Sequence, residues 1–131
     1  MLEFDESQKT KLFHEEITKV IIGASFEVHR ELGYGFLERV YQRALQVELV
    51  RRGFSAESER RVQVQYKGAI VGDYDADLIV NGFVTVRIKV APQCDTRDEA
   101  QLLNELRATG IRVGLLINFG RTRAEFKRLV F

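Results

Sequence analysis

The stretch 74–90, YDADLIVNGFVTVRIKV, constrains the fold more than any other part of the sequence. Two runs rich in valine and isoleucine flank Asn81-Gly82, and this dipeptide is a strong short-range signal for a β-hairpin. Residues two apart on a strand point to the same face of a sheet. Asp75 and Asp77 therefore share a face of the first strand, and three polar residues share a face of the second: Thr85, Arg87 and Lys89.

The length of the turn decides whether these two polar sets meet. A two-residue turn would place the aspartates and the lysine on opposite faces of the sheet. A three-residue loop, 80–82, with Gly82 left-handed in a G1 bulge, shifts the register by one residue and puts Asp77 opposite Thr85. Only the second register gathers the apolar residues on one face, namely Leu78, Val80, Val84, Val86 and Ile88. We therefore predict the bulged hairpin, with a polar cluster of three residues: Asp77, Arg87 and Lys89.

Hydrophobic periodicity predicts two helices and a further strand pair before this hairpin. Apolar residues recur at helical spacing over about 13–32 and 37–49, and glycines separate the two segments. The period drops to two from Arg61, and Lys67-Gly68 turns the chain into a strand that begins near Ala69. With the hairpin, these strands form a three-stranded antiparallel meander.

The remainder of the chain predicts a helix, a buried strand and a last short helix. Thr96 and Glu99 have capping-box spacing and open a helix that Gly110 ends, with three residues inward: Ala100, Leu103 and Leu106. The apolar run 113–119 is typical of a strand covered on both faces, and the crossover helix allows it to lie parallel to the strand 83–90. A short basic helix, 123–129, is expected to close the chain.

Length and composition limit the classes of function. A chain of 131 residues is expected to form a single domain, 1–131, and its net charge of +1 gives no global preference for nucleic acid or membrane. No run approaches the ~20 apolar residues of a membrane span, so we expect a cytoplasmic protein. The single cysteine, Cys94, excludes an internal disulfide and is expected to be an incidental thiol. His29 is expected to be a core or interface histidine.

The segment GFLERVY, 35–41, carries the spacing after which the GxxExxY family is named. The segments EVHRELG before it and ADLIV, AQLLNELRATG and VGLLINFG after it also resemble that family, so the resemblance covers nearly the whole chain. The family in turn resembles the PD-(D/E)XK nuclease superfamily. The resemblance implies a restriction-endonuclease-like α/β core, with helices, a three-stranded antiparallel meander, a helix and a parallel strand, and a protein that acts on DNA or RNA.

The resemblance also implies a set of site residues. By position, Asp77 is similar to the metal-binding aspartate of the superfamily, and Lys89 to the lysine that positions or activates the attacking water. Glu38 resembles an acidic residue contributed by a leading helix, so Asp77 and Glu38 are the implied ligands of Mg²⁺ or Mn²⁺. Gln101 resembles a helix glutamine found near the site in some branches.

The chain departs from the family pattern at Arg87, where a glutamate is expected. Arginine offers no acceptor atom and stays positively charged, whereas Mg²⁺ requires oxygen ligands. The cluster of Asp77, Arg87 and Lys89 then carries a formal charge of +1, which Glu38 brings to zero. We therefore expect weakened metal binding, weak or absent nuclease activity, and an ion pair of Arg87 with Asp77 or Glu38.

Three classes of function stay open. The first is a metal-dependent phosphodiesterase in which Arg87 holds the scissile phosphate and Glu99 or Glu105 supplies a displaced ligand. The second is a non-catalytic module that binds phosphate through Arg87, Lys89 and a basic rim made of Arg51, Arg52, Arg60 and Arg61. The third is an interaction module or dimer with no role in nucleic-acid binding. The sequence decides neither the oligomeric state nor the choice between DNA and RNA.

Overall fold

A computed structural model describes residues 6–131 of the chain. The elements follow in the order α1 (Glu6–Leu32), α2 (Glu38–Arg51), β1 (Ala56–Tyr66), β2 (Ala69–Val80), β3 (Val84–Lys89), α3 (Thr96–Thr109), β4 (Val113–Asn118) and β5 (Glu125–Val130). The five strands form one sheet in sequence order. The pairings β1–β2, β2–β3 and β4–β5 are antiparallel, and β3–β4 is parallel. The predicted α/β fold, with its antiparallel meander and parallel strand, is confirmed.

Helices cover both faces of the sheet. The apolar face that was predicted for β2 and β3 is fully buried in one core with residues of α1 and α2, such as Ile21 and Leu45. α3 packs on the other face, where Leu102 lies so close to Gly114 that an added Cβ would stand 2.9 Å from it. Because β4 is covered from both sides, all six of its residues are buried, as expected for a parallel strand beneath helices.

The β2–β3 turn keeps the predicted shared face through a different register. Asn81 and Gly82 have positive φ, 53° and 74°, and the Phe83 N–H donates to the Val80 carbonyl at 3.0 Å. Pairing resumes with Val80 opposite Val84, so the loop is 81–83 and Ile79, rather than the predicted Asp77, lies opposite Thr85. The predicted loop 80–82 is therefore wrong by one residue on each strand. A shift on both strands preserves the alternation, so Asp77, Arg87 and Lys89 still share a face.

The last segment is the strand β5 rather than the predicted helix 123–129. β5 pairs antiparallel with β4, from Asn118 opposite Glu125 to Val113 opposite Val130. Without it, the fully buried β4 would leave an edge of unpaired backbone groups beside the core, which is costly. Pairing with β4 therefore decides the conformation of this segment, which is too short for its periodicity to distinguish a helix from a strand.

The capping of α3 also differs from the prediction. Asp95, rather than Thr96, is the N-cap: its carboxylate accepts from the N–H groups of Arg97 and Asp98, and the Asp98 carboxylate accepts from the Asp95 N–H. This is a capping box shifted by one residue. Leu106 is buried as predicted, but Ala100 is exposed and Leu103 is only partly buried. The other buried residues of the helix are Asp98, Leu102 and Glu105. Gly110 ends the helix in the left-handed conformation, as predicted.

Candidate active site

The GFLERVY segment builds the turn that starts α2. The Tyr41 hydroxyl donates to the Gly33 carbonyl at 2.6 Å and accepts from the Phe36 N–H at 3.4 Å. The fully buried Tyr41 ring stacks on Phe119, with 4.6 Å between ring centroids. These contacts fix the loop between α1 and α2, and they place Glu38 in the first turn of α2.

Asp77 lies where β2 and β3 separate. Pairing between the two strands extends only to Leu78 opposite Val86, and beyond it the Asp77 Oδ2 accepts from the Ile88 N–H at 2.7 Å. Gln42 of α2 donates to the Asp77 carbonyl at 3.1 Å. Burial raises the pKa of the Asp77 carboxyl, although the Ile88 hydrogen bond and the nearby cations oppose the rise. One carboxylate oxygen of Asp77 therefore takes the place of a main-chain acceptor between the two strands. The other oxygen can bind a further group.

Glu38 shares the electrostatic environment of Asp77. Burial is the main cause that raises the pKa of the Glu38 carboxyl, and the negative charge of Asp77 raises it further, while Lys89 and Arg87 lower it. Like charges raise each other's pKa only when they are close and poorly screened. α2 and β2 thus place the two carboxylates that the family resemblance implies as metal ligands near enough for Asp77 to act on Glu38.

Arg87 is paired with α3 rather than with either of these carboxylates. Its Nη1 donates to the Glu105 Oε1 at 2.7 Å, and the Thr85 hydroxyl donates to the Glu105 Oε2 at 3.3 Å. The Glu105 side chain is 0% exposed, and burial raises its pKa, whereas Arg87 lowers it. A fully buried carboxylate requires a partner, so the predicted pairing of Arg87 with Asp77 or Glu38 is wrong.

Lys89 is paired with the first turn of the same helix. Its Nζ lies 3.1 Å from the Asp98 Oδ1. Burial raises the pKa of the Asp98 carboxyl, but the Asp95 N–H and Lys89 outweigh that effect, so the net shift is downward. Asp98 thus supplies the anionic partner that a partly buried lysine on a central strand requires. Asp98 was not foreseen, because its role in the capping box was assigned to Glu99.

The charge of the assembled cluster differs from the sequence estimate. α3 adds two carboxylates that the estimate of zero left out, so four carboxylates and two cations give a formal charge of −2. The six residues, which we call the β3 cluster, are Glu38, Asp77, Arg87, Lys89, Asp98 and Glu105. The expected surplus of positive charge at Arg87 is wrong, because both cations are neutralised by α3.

The donor set of the β3 cluster fits a divalent cation only in part. Asp98 and Glu105 are committed to Lys89 and Arg87, which leaves Asp77 and Glu38 as the carboxylates that could hold Mg²⁺ or Mn²⁺. Mg²⁺ is often bound by one or two carboxylates together with water and substrate oxygens. Among the described side chains, those of 14–58 and 60–131, no three His, Cys, Asp or Glu residues are grouped so that they could hold a metal ion. The residues therefore fit a two-carboxylate site and no more.

The other residues singled out in the sequence have different surroundings. Gln101 is exposed on α3 and lines a cleft of about 360 Å³ together with Arg87. His29 is 7% exposed, its Nε2–H donates to the Arg121 carbonyl at 2.8 Å, and its ring stacks on Phe119. The Cys94 thiol is free and exposed. His29 thus has the structural surroundings expected for it.

The predicted basic rim consists largely of surface ion pairs. Arg52 is paired with Glu48, Arg60 with Glu57 and Arg61 with Asp73, the last two at 3.9 and 3.8 Å. Such loose, exposed pairs contribute little to stability, so each arginine can readily exchange its carboxylate partner for another anion.

Comparisons with known proteins agree with this architecture. A family model, that of the PD-(D/E)XK nuclease superfamily, matches residues 15–129. The crystal structure of SSO0001 is similar to this chain with a TM-score of 0.50 and 15% sequence identity, over 95% of this chain and 62% of that one. At this identity the likeness shows the fold alone, and the chain spans less than two thirds of that protein. No curated protein matches the chain. None of the helices within 6–131 has the length and apolarity needed to cross a membrane.

Proposed function

Since the chain belongs to the PD-(D/E)XK nuclease superfamily, we propose that it acts on or binds nucleic acid through a degenerate metal site. Mg²⁺-dependent hydrolysis of phosphodiester bonds is then weak or absent. The observation that carries the proposal is the 2.7 Å ion pair between Arg87 and Glu105, because it lies two residues before Lys89, where the superfamily pattern has a carboxylate. The GFLERVY segment further supports placing the chain among the GxxExxY proteins.

The pairing of the cluster explains why hydrolysis would be weak. Asp77 and Glu38 would hold Mg²⁺ or Mn²⁺, and a bound ion supplies Lewis acidity and lowers the pKa of water. The third oxygen ligand is replaced by a guanidinium, which cannot coordinate a cation. Lys89 donates to Asp98, so its ammonium must leave that carboxylate before it can orient water. Each of the two changes removes a contribution that an active site of this class requires.

Phosphate contacts are better assigned to exposed arginines than to the β3 cluster. A cluster with a formal charge of −2 repels phosphate, and its two cations already have carboxylate partners. Arg51, Arg60 and Arg61 are exposed. Backbone recognition by such residues depends on salt, because each phosphate contact releases bound counterions.

The test is a nuclease assay on single- and double-stranded DNA and RNA, with Mg²⁺ or Mn²⁺, combined with calorimetric titration of the metal. We expect weak metal binding and little or no cleavage by the unmodified protein. Asp77→Ala is the matched variant, because it removes one of the two remaining ligands. Robust Mg²⁺-dependent cleavage that Asp77→Ala abolishes would overturn the degenerate site. Failure to bind any of the four nucleic acids, at low or moderate salt, would overturn the nucleic-acid role.

A second candidate, an interaction module, is favoured by the far end of the β1–β2 ribbon. Tyr66, Ile70 and Val71 are 61%, 58% and 61% exposed there. Neighbouring apolar side chains at this exposure are typical of contact sites for other proteins. Light scattering of the unmodified protein and of Ile70→Ser/Val71→Ser would test this candidate. Self-association that the double variant abolishes would support it.

A further inference from the structure

A groove runs between the β1–β2 ribbon and α3, beside the β3 cluster. Its larger part, about 750 Å³, is lined by Gln63 and Gln65 of β1 and by Asn104 of α3, among others. The 360 Å³ cleft that holds Gln101 and Arg87 shares Tyr74 and Asn104 with that part. The two are therefore one continuous groove that ends at Arg87. We call it the amide groove.

The direction of side chains along β1 and α3 explains why the amides face one groove. Gln63 and Gln65 are two apart on β1 and share a face of the sheet. Gln101 and Asn104 are three apart on α3 and lie on one side of the helix. Four side-chain amides thus line one groove. An amide both donates and accepts hydrogen bonds, so it suits a ligand with alternating donors and acceptors better than it suits a bare anion.

Two residues that line the groove each have a buried polar atom without a hydrogen-bond partner in the described part of the chain. The two atoms are the Tyr74 hydroxyl and the Arg87 Nε. Tyr74 lies where the two parts of the groove join, and Arg87 lies at the end beside the β3 cluster. Buried polar groups are nearly always satisfied, and each exception calls for a ligand or another explanation. Both atoms belong to residues that line the groove. Each is closed off from solvent, so a turn of the side chain would bring it to a ligand that carries its own hydrogen-bonding groups.

We propose that the amide groove binds a single-stranded segment of nucleic acid. The edges of the bases lie against the amides and Tyr74, and the phosphates face the arginines at the rim. Base edges carry the mixed donors and acceptors that asparagine and glutamine recognise. A single strand can turn its bases into a groove, whereas a duplex keeps their Watson–Crick edges paired.

The charges along the groove agree with this occupant. Arg107 lines its larger part, and Arg60 and Arg61 line an adjoining cleft of about 390 Å³ that also contains Gln63 and Gln65. Asp75 is the acidic residue that lines the end near Arg87. Arg60 and Arg61 have only loose surface partners, Glu57 and Asp73. The end of the groove away from the β3 cluster thus offers exchangeable cations to a backbone that avoids the carboxylates. This inference rests on the proposed nucleic-acid function. It adds where the nucleic acid binds and that the bound form is single-stranded.

Fluorescence anisotropy with labelled oligonucleotides tests the inference. We expect single-stranded DNA or RNA to bind at least tenfold more tightly than a duplex of the same length. Gln63→Ala/Gln65→Ala should weaken that binding about tenfold, the value typical of lost amide–base contacts. Gln93→Ala, which changes an exposed amide outside the groove, is the matched control and should leave binding unchanged. Arg107→Ala should weaken binding and reduce its salt dependence.

Tyr74→Phe separates ligand binding from folding. The hydroxyl has no partner in the described part of the chain, so its removal breaks no hydrogen bond within the protein and should leave the thermal midpoint unchanged or higher. Binding of the single strand should fall about fivefold, as for the loss of one hydrogen bond.

The outcomes distinguish this inference from the proposed function. If no oligonucleotide binds, both are overturned. If oligonucleotides bind but Tyr74→Phe and the glutamine double variant behave like Gln93→Ala, or if the duplex binds as tightly as the single strand, the amide groove is overturned and the nucleic-acid function stands.

Discussion

Replacing Arg87 with glutamate should destabilise the protein in a way that Mg²⁺ reverses. Glu105 is fully buried, and its charge is balanced by Arg87 at 2.7 Å. Removing one partner of a buried ion pair costs about 3–5 kcal/mol. Because the Arg87 side chain is 21% exposed and Thr85 keeps its hydrogen bond to Glu105, we expect the lower end, about 3 kcal/mol. The new carboxylate adds repulsion from Glu105 and Asp77.

The same substitution restores an oxygen ligand beside Asp77 and Glu38. Divalent cations should therefore bind the Arg87→Glu protein more tightly than the unmodified one. A ligand at one hundred times its dissociation constant stabilises the folded state by about 2.7 kcal/mol. Saturating Mg²⁺ should thus recover most of the lost stability. Adding Glu105→Gln should recover part of it without metal, because it removes the unpaired buried charge.

Urea unfolding followed by circular dichroism, with and without MgCl₂, measures both effects. Arg87→Gln is the matched control, because it breaks the ion pair without adding a carboxylate. It should lose stability in the same way and gain little from Mg²⁺. The reasoning fails if Arg87→Glu unfolds at the same urea concentration as the unmodified protein. It also fails if Mg²⁺ stabilises Arg87→Gln as much as Arg87→Glu.

Three further predictions follow from other contacts. Burial raises the pKa of Glu105 and Asp77, so on acidification the folded state takes up protons at a higher pH than the unfolded state. The free energy of unfolding should therefore rise as the pH falls from neutrality toward the unfolded pKa values of these two carboxyls. Urea unfolding at neutral and mildly acidic pH, compared with Asp77→Asn, checks this sign. Gly120→Ala would place a Cβ 2.5 Å from the Ala91 carbonyl oxygen and should cost about 1–3 kcal/mol in the free energy of unfolding. Tyr41→Phe loses the hydrogen bonds that hold the loop before α2 and should cost about 1 kcal/mol by the same measurement.

The sequence predicted the shared polar face because alternation along strands depends on local rules. Gly82 was expected in a left-handed conformation and has a φ of 74°. The position of Phe83 could not be obtained in this way, because it depends on how β3 meets the core rather than on the turn residues. The register moved by one residue on each strand, and the face survived because two such shifts cancel in their effect on side-chain direction.

The partners of Arg87 and Lys89 could not be predicted, because they come from an element distant in sequence. The helix α3 was assigned an inward side with Ala100, yet Asp98 and Glu105 are buried instead. An interpretation that counts only apolar residues assigns the wrong face of such a helix to the core. Glu105 lies three residues after the buried Leu102, and this spacing is the signal that could have identified it as inward, since residues three or four apart share a helix face.

The tie between β3 and α3 has a consequence for the order of folding. The β2–β3 hairpin closes through a three-residue loop and can form within ~1–10 μs, whereas parallel pairing of β3 with β4 must wait for closure of the long crossover that contains α3. During that interval Arg87 and Lys89 lie just beyond the paired residues of the hairpin, without Glu105 and Asp98. We therefore expect the desolvation of these charges to fall late on the folding pathway, so that variants at Glu105 accelerate unfolding more than they slow folding.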